Sequence, residues 1–120
     1  MKPINIGRTE IRIYGGLRSI GGNCIVIKSP STSVMLDQGV NFAQFEKFYG
    51  HAVNPDSTEE LRDMGVLPPR EAYEDLEGIF ISHLHLDHLG SLNAPNNIPI
   101  YLPSKDLIEA LSNSWWFSWK

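Results

Sequence analysis

Hydrophobic and polar positions alternate near the start of the chain. In Thr9-Glu10-Ile11-Arg12-Ile13-Tyr14 the isoleucines are separated by charged residues, a period of two that predicts a strand with one buried and one wet face. Gly15-Gly16 and Gly21-Gly22 bracket Leu17-Arg18-Ser19-Ile20, and paired glycines permit positive φ and close approach of backbone to another group. Asn23 to Lys28 is a short β-branched run, Ser29-Pro30-Ser31-Thr32-Ser33 is a turn cluster, and Val34-Met35-Leu36-Asp37 reads as the returning strand of a hairpin. Residues 1–38 are therefore predicted to be strand-rich hairpins.

The pattern changes over 39–78, which we read as an insertion packed over the sheet. Phe42, Phe45, Phe48 and Tyr49 are spaced for one face of a short helix. Ser57-Thr58-Glu59-Glu60 has the Ser-x-x-Glu form of a capping box, and Gly65 is placed to end the helix that follows. Pro68-Pro69 forbids continuation, and the charged stretch from Arg70 to Glu77 reads as surface connection. Within 79–120, Ile79-Phe80-Ile81 is an apolar run suited to a strand buried on both faces, and it leads straight into Ser82-His83. Ile98 to Leu102 is a further strand, assigned to a sheet edge by Pro99. Ser104 is a good N-cap for a helix through Leu111, with Asp106 in its first turn.

Composition sets the outer limits. A chain of 120 residues with 42% hydrophobic content has the size and apolar share of one packed domain. Its net charge of −4 gives no overall positive field to hold a polyanion, so any nucleic-acid contact has to be local. The single Cys24 cannot form an intramolecular disulfide and reads as a small buried hydrophobe. No apolar run has the length of a membrane helix, and Met1-Lys2-Pro3-Ile4-Asn5 lacks the apolar stretch of a signal peptide, which together predict a cytoplasmic protein.

The candidate chemistry lies in Ser82-His83-Leu84-His85-Leu86-Asp87-His88-Leu89-Gly90, where three of the chain's four histidines fall within six residues beside a carboxylate. At this chain's own His and Asp frequencies such an arrangement arises by chance with a probability of roughly 2 × 10⁻⁴. Residues i and i+2 of an extended segment project to the same side, so His83 and His85 can reach one ion together. If a helix starts there, Asp87 and His88 come round the turn to face a second. Imidazole nitrogen and carboxylate oxygen suit Zn²⁺ at about 2.0–2.2 Å, and other divalent ions are open to the same donors. Gly90 is read as leaving room close to the metals. The bland alternatives are a structural zinc site, though such sites usually include cysteine and Cys24 is remote in sequence, or histidines that merely satisfy hydrogen bonds at a strand end. His51, in the insertion, is expected to be solvated rather than a ligand.

His83-x-His85-x-Asp87-His88 after a buried strand resembles the hallmark of the metallo-β-lactamase superfamily. The resemblance implies that His83 and His85 bind one metal and Asp87 and His88 the other, with Asp87 also helping to shuttle a proton. It also implies that Asp37, closing its strand, orients the metal-binding loop. Gly15-Gly16-Leu17-Arg18-Ser19-Ile20-Gly21-Gly22-Asn23, Leu36-Asp37-Gln38-Gly39 and Leu61-Arg62-Asp63-Met64-Gly65-Val66-Leu67-Pro68-Pro69 further resemble the amino-terminal part of ribonuclease J-like and β-CASP-type nucleases. The fold so implied is α/β (α+β), the amino-terminal half of an αββα sandwich. The function implied is a di-zinc hydrolase cleaving phosphodiester bonds in RNA.

That fold also implies further ligands and a second sheet, which this chain does not supply after His88. A missing carboxy-terminal half or a second chain, a further copy included, is expected to complete it, and activity is expected to depend on that completion. Trp115, Trp116, Phe117 and Trp119 fit packing on such a partner better than stacking on bases. Arg18 is read as a solvated loop cation, with contact to a phosphate as the alternative. A hydrolase of small-molecule ester, thioester or lactam bonds, and a non-catalytic half, stand as the competing functions.

Overall fold

The computed structural model describes residues 3–17, 21–50, 55–83, 89–91 and 93–104. Strands β1 (Ile4–Ile6), β2 (Thr9–Gly15), β3 (Cys24–Lys28) and β4 (Ser33–Leu36) pair antiparallel in succession. Strands β5 (Gly78–Phe80) and β6 (Ile100–Tyr101) then add in parallel beside β4. The sheet has six strands in the order β1-β2-β3-β4-β5-β6, an α+β arrangement with a mixed sheet. A parallel step needs a crossover of a dozen or more residues. Between β4 and β5 that crossover holds helices α1 (Phe42–Phe48) and α2 (Thr58–Asp63) and a 3₁₀ turn at Arg70–Tyr73.

Local chemistry explains most of these boundaries. The Ser29 hydroxyl donates to Thr32 O at 2.8 Å and accepts from Thr32 N at 3.0 Å, closing the β3–β4 turn. Asn41 caps α1 by accepting from Gln44 N, and Ser57 caps α2 by accepting from Glu60 N at 3.2 Å. The capping box is not reciprocal. Glu60 instead accepts from Asp56 N at 3.1 Å and from the Tyr49 hydroxyl at 3.0 Å, tying α2 to the end of α1. In the glycine loop, a Cβ on Gly15 would strike the Gly22 carbonyl, so the two glycine pairs bring backbone against backbone as their sequence suggests.

Four expectations need correcting. Strand β1 was not foreseen, although Ile4-Asn5-Ile6 has a period of two and Gly7, at φ 60°, starts the turn into β2. Residues 70–77 are not merely surface connection: Ala72 and Tyr73 are fully buried among charged neighbours. The aromatic stripe of α1 is only partly a burial face, because Phe42 and Phe48 are exposed while Phe45 and Tyr49 pack inward. Strand β5 is not buried on both faces either.

Sheet register accounts for that last difference. Val26 pairs with Met35, and Met35 with Ile79, placing them on one face with Cys24 beneath the crossover, where Leu61, Val66, Leu67 and Tyr73 cover them. Ile13, Ile25, Leu36, Phe80 and Tyr101 share the opposite face through successive pairings. There Ile4, Ile6, Leu36, Phe80 and Tyr101 stay exposed, and Ile11, Ile13, Ile25, Ile27 and Val34 are half-buried. The Ile11–Ile13 side, expected to be buried, is therefore the more open one among the described residues. Phe80 and Tyr101 stack across β5 and β6 with ring centroids 4.8 Å apart. Strand β6 takes the edge position that Pro99 suggested.

Candidate metal centre

Strands β4 and β5 run parallel and end level, with Leu36 opposite Phe80. Asp37 N continues the ladder by donating to Phe80 O at 2.9 Å. The chain then turns sharply at Asp37, whose φ of 64° lies in the left-handed region. A non-glycine residue there costs about 1 kcal/mol, least for Asp and Asn, and such strain clusters at functional positions. The turn aims the carboxylate across at β5. Its Oδ1 accepts from Ser82 N at 2.7 Å and its Oδ2 from the Ser82 hydroxyl at 2.8 Å.

These two bonds set the state of the next residue. A carboxylate only accepts, and a serine hydroxyl has one proton, so that proton is committed to Asp37. His83 Nδ1 lies 3.1 Å from the same Ser82 oxygen, and with that proton directed at Asp37 the tautomer that fits the contact is the one carrying hydrogen on Nδ1. In the neutral imidazole Nε2 then keeps its lone pair, the form a metal ligand requires. His83 itself is exposed. Ser82 was not singled out from sequence, though its position immediately before the first histidine was the available signal.

The far end of the loop is held by the adjacent residue. Gln38 is fully buried, forms a parallel bridge with Leu89, and accepts from Gly90 N through its carbonyl at 2.7 Å. Its side-chain Nε2 donates to Ser91 O at 2.7 Å. Asp37 and Gln38 thus hold the described residues that flank 84–88, Ser82 on one side and Leu89 to Ser91 on the other. Gly90 is needed for packing. A Cβ there would lie 2.5 Å from Leu67 Cδ2, 2.9 Å from Val40 Cγ2 and 3.0 Å from Gln38 O, so the missing side chain admits the core residues around it.

Of the sequence-predicted residues, Asp37 and His83 are brought together, through Ser82; His85, Asp87 and His88 lie outside the described residues, as do Arg18, His51, 105–111 and the terminal aromatics. Among the described residues no group of three or more His, Cys, Asp or Glu side chains is assembled. Cys24 is buried as expected, and burial first, then the Asp37 charge, pushes its thiol well above the ordinary range. Beside this end of the sheet, the open face forms a depression of ≈ 500 Å³ lined by Ile13, Ile25, Leu36 and Phe80 and rimmed by Asp37 and Ser82.

No family model matches the chain. The chain is 27% identical over 112 residues to transcription termination factor FttA of Methanocaldococcus jannaschii, covering 88% of this chain and 16% of that protein. It is 32% identical over 84 residues to ribonuclease J of Helicobacter pylori, covering 68% of this chain and 11% of that protein. It therefore spans less than a fifth of either relative. Among solved structures it is similar to a protein of unknown function from Enterococcus faecalis, with a TM-score of 0.53 and 27% identity over 78% of this chain and 24% of that one. The sequence matches are thus a partial, distant likeness to proteins named as a transcription termination factor and a ribonuclease, and the structural match is a likeness of fold.

Proposed function

We propose that the chain is part of a metal-dependent hydrolase of the metallo-β-lactamase type, a ribonuclease J-like or β-CASP-type nuclease that cleaves phosphodiester bonds in RNA. The observation that carries this reading is the junction of Asp37, Ser82 and His83, where two parallel strand ends hold the first histidine of the motif against the Asp37–Ser82 pair. The relatives named as a ribonuclease and a termination factor support the RNA class. The donor set also fits zinc. His83 and His85 would hold one ion and Asp87 and His88 a second, with other divalent metals compatible. When bound, the ions lower the pKa of water and polarise the bond under attack.

This chain's own residues supply the rest. Asp37 and Ser82 orient His83, Gln38 holds the far end of the loop, and Asp87 is placed by sequence to move a proton between water and the leaving oxygen. RNA works against the net charge of −4, so its binding falls to local groups or to a partner. The exposed face of Leu36, Phe80 and Tyr101 supports such a partner: a second sheet, from further polypeptide or another chain, that would cover it. Among the described residues no helix is long and apolar enough to cross a membrane, and we place the protein in the cytoplasm with its substrate.

The test is cleavage of single-stranded RNA by the native, zinc-loaded protein and by His85→Ala. Degradation by the first and none by the second is expected. Turnover of small ester or lactam substrates with RNA left intact would favour the small-molecule hydrolase.

A further inference from the structure

Arg62 is a cation in an unusual place. It lies on α2, is 5% exposed, and has no carboxylate partner among the described residues. Burying an unpaired charge is costly unless dipoles replace its hydration. Here Nη1 donates to Pro68 O at 3.0 Å and to the Tyr73 hydroxyl at 2.7 Å, and Nη2 donates to Asn93 O at 3.2 Å. The guanidinium also sits 4.6 Å from the centre of the Tyr73 ring.

Proton bookkeeping gives this cluster a direction. Arginine only donates, so the Tyr73 oxygen accepts from it and the phenol proton goes to Gln38 Oε1 at 2.5 Å. With Oε1 so occupied, the Gln38 amide has one orientation, and its Nε2 must point at Ser91 O. The relay Arg62 → Tyr73 → Gln38 → Ser91 therefore runs one way, and buried bonds in such a chain reinforce one another. Both of its ends reach the segment just past the metal motif, at Ser91 through Gln38 and at Asn93 through Arg62.

We infer that Arg62, Tyr73 and Gln38 are positioning residues that fix the backbone at Ser91 and Asn93, so that the crossover between β4 and β5 anchors the chain immediately after the metal motif. The inference rests on the metal reading above for its consequence, but on the relay alone for the anchoring. Part of the solvation of the buried charge comes from the Asn93 carbonyl, so holding Asn93 in place and burying Arg62 are one event. Loss of the Tyr73–Gln38 bond frees the Gln38 amide, and loss of either bond at Tyr73 strands a buried donor or acceptor.

The decisive variant is Tyr73→Phe, which removes one oxygen and keeps the ring. Its control is Tyr49→Phe, which removes another buried phenol of the same crossover, bonded to Glu60 and not a member of the relay. Two readouts are taken on the native protein: zinc affinity by competition with a chromophoric chelator, and amide hydrogen exchange over 82–93. In Tyr73→Phe we expect zinc affinity to fall about tenfold and exchange at Gly90 to quicken about tenfold. Tyr49→Phe should change neither. Unaltered exchange at Gly90 in Tyr73→Phe, unaltered zinc affinity, or equal effects in Tyr49→Phe would overturn the inference. If the unsubstituted protein binds no zinc, the metal reading fails instead, and the exchange rates alone decide the anchoring.

Discussion

On one side of the sheet Cys24, Val26, Met35 and Ile79 are 0–1% exposed. One residue further along the same strands, on the other side, Leu36 is 36% and Phe80 43% exposed, and Tyr101 on the neighbouring strand is 51% exposed. The two faces are similarly apolar, so composition does not separate them. What differs is cover: the crossover lays Leu61, Val66, Leu67 and Tyr73 over the first and nothing equivalent over the second among the described residues. A continuous apolar run in a strand therefore marks a sheet built for cover on both faces, and one of these layers is absent from the described structure. The junction of Asp37, Ser82 and His83 sits at the strand ends, held from the covered side by Asp37 and bordered by the open face.

Four experiments sharpen or break this contrast. The largest effect belongs to Cys24, whose thiol is buried and shifted upward. In the folded protein its reaction with an aromatic disulfide reagent should be slowed by about 10³-fold or more relative to the unfolded chain; rapid labelling would mean the covered face is open. Next, Ile79→Ala should cost about 3 kcal/mol in denaturant unfolding, the usual loss for a core aliphatic. Ser82→Ala, at the strand ends, should lower zinc affinity by about tenfold. It should also release His83 from a single tautomer, seen as averaged ring ¹⁵N shifts in the zinc-free protein. Smallest is Phe80→Ala, expected to cost under about 1 kcal/mol in the isolated chain because much of the ring is already in water. A loss equal to that of Ile79→Ala would show that something covers the open face.

Much of the fold was legible because local rules decided it. The alternation through Ile11 and Ile13, the Ser29 turn, the Ser57 cap, the stop at Gly65 and the edge assignment from Pro99 each have a near-neighbour cause. Asp37 was legible as a strand-closing acid, and the structure adds the left-handed turn that aims it at Ser82. The misses are contacts far apart in sequence. Gln38 meets Ser91 and Tyr73, and Arg62 meets Asn93, across spans no periodicity records. Tyr73 was hidden by its neighbours Arg70, Glu71, Glu74 and Asp75, whose charges describe the outward side of a 3₁₀ turn and say nothing of its inward one. Phe80 misled for the opposite reason: its hydrophobicity reports the surroundings it is suited to, while its exposure reports those it has.

The central claim is that His83, His85, Asp87 and His88 hold metal at the strand ends organised by Asp37 and Ser82. Its most direct test is elemental analysis of the native protein at neutral pH beside His85→Ala. We predict about two zinc ions, or equivalent divalent metal, per chain in the native protein and a clear loss in the variant. A native protein free of transition metal, or a variant that keeps its full complement, would contradict the account.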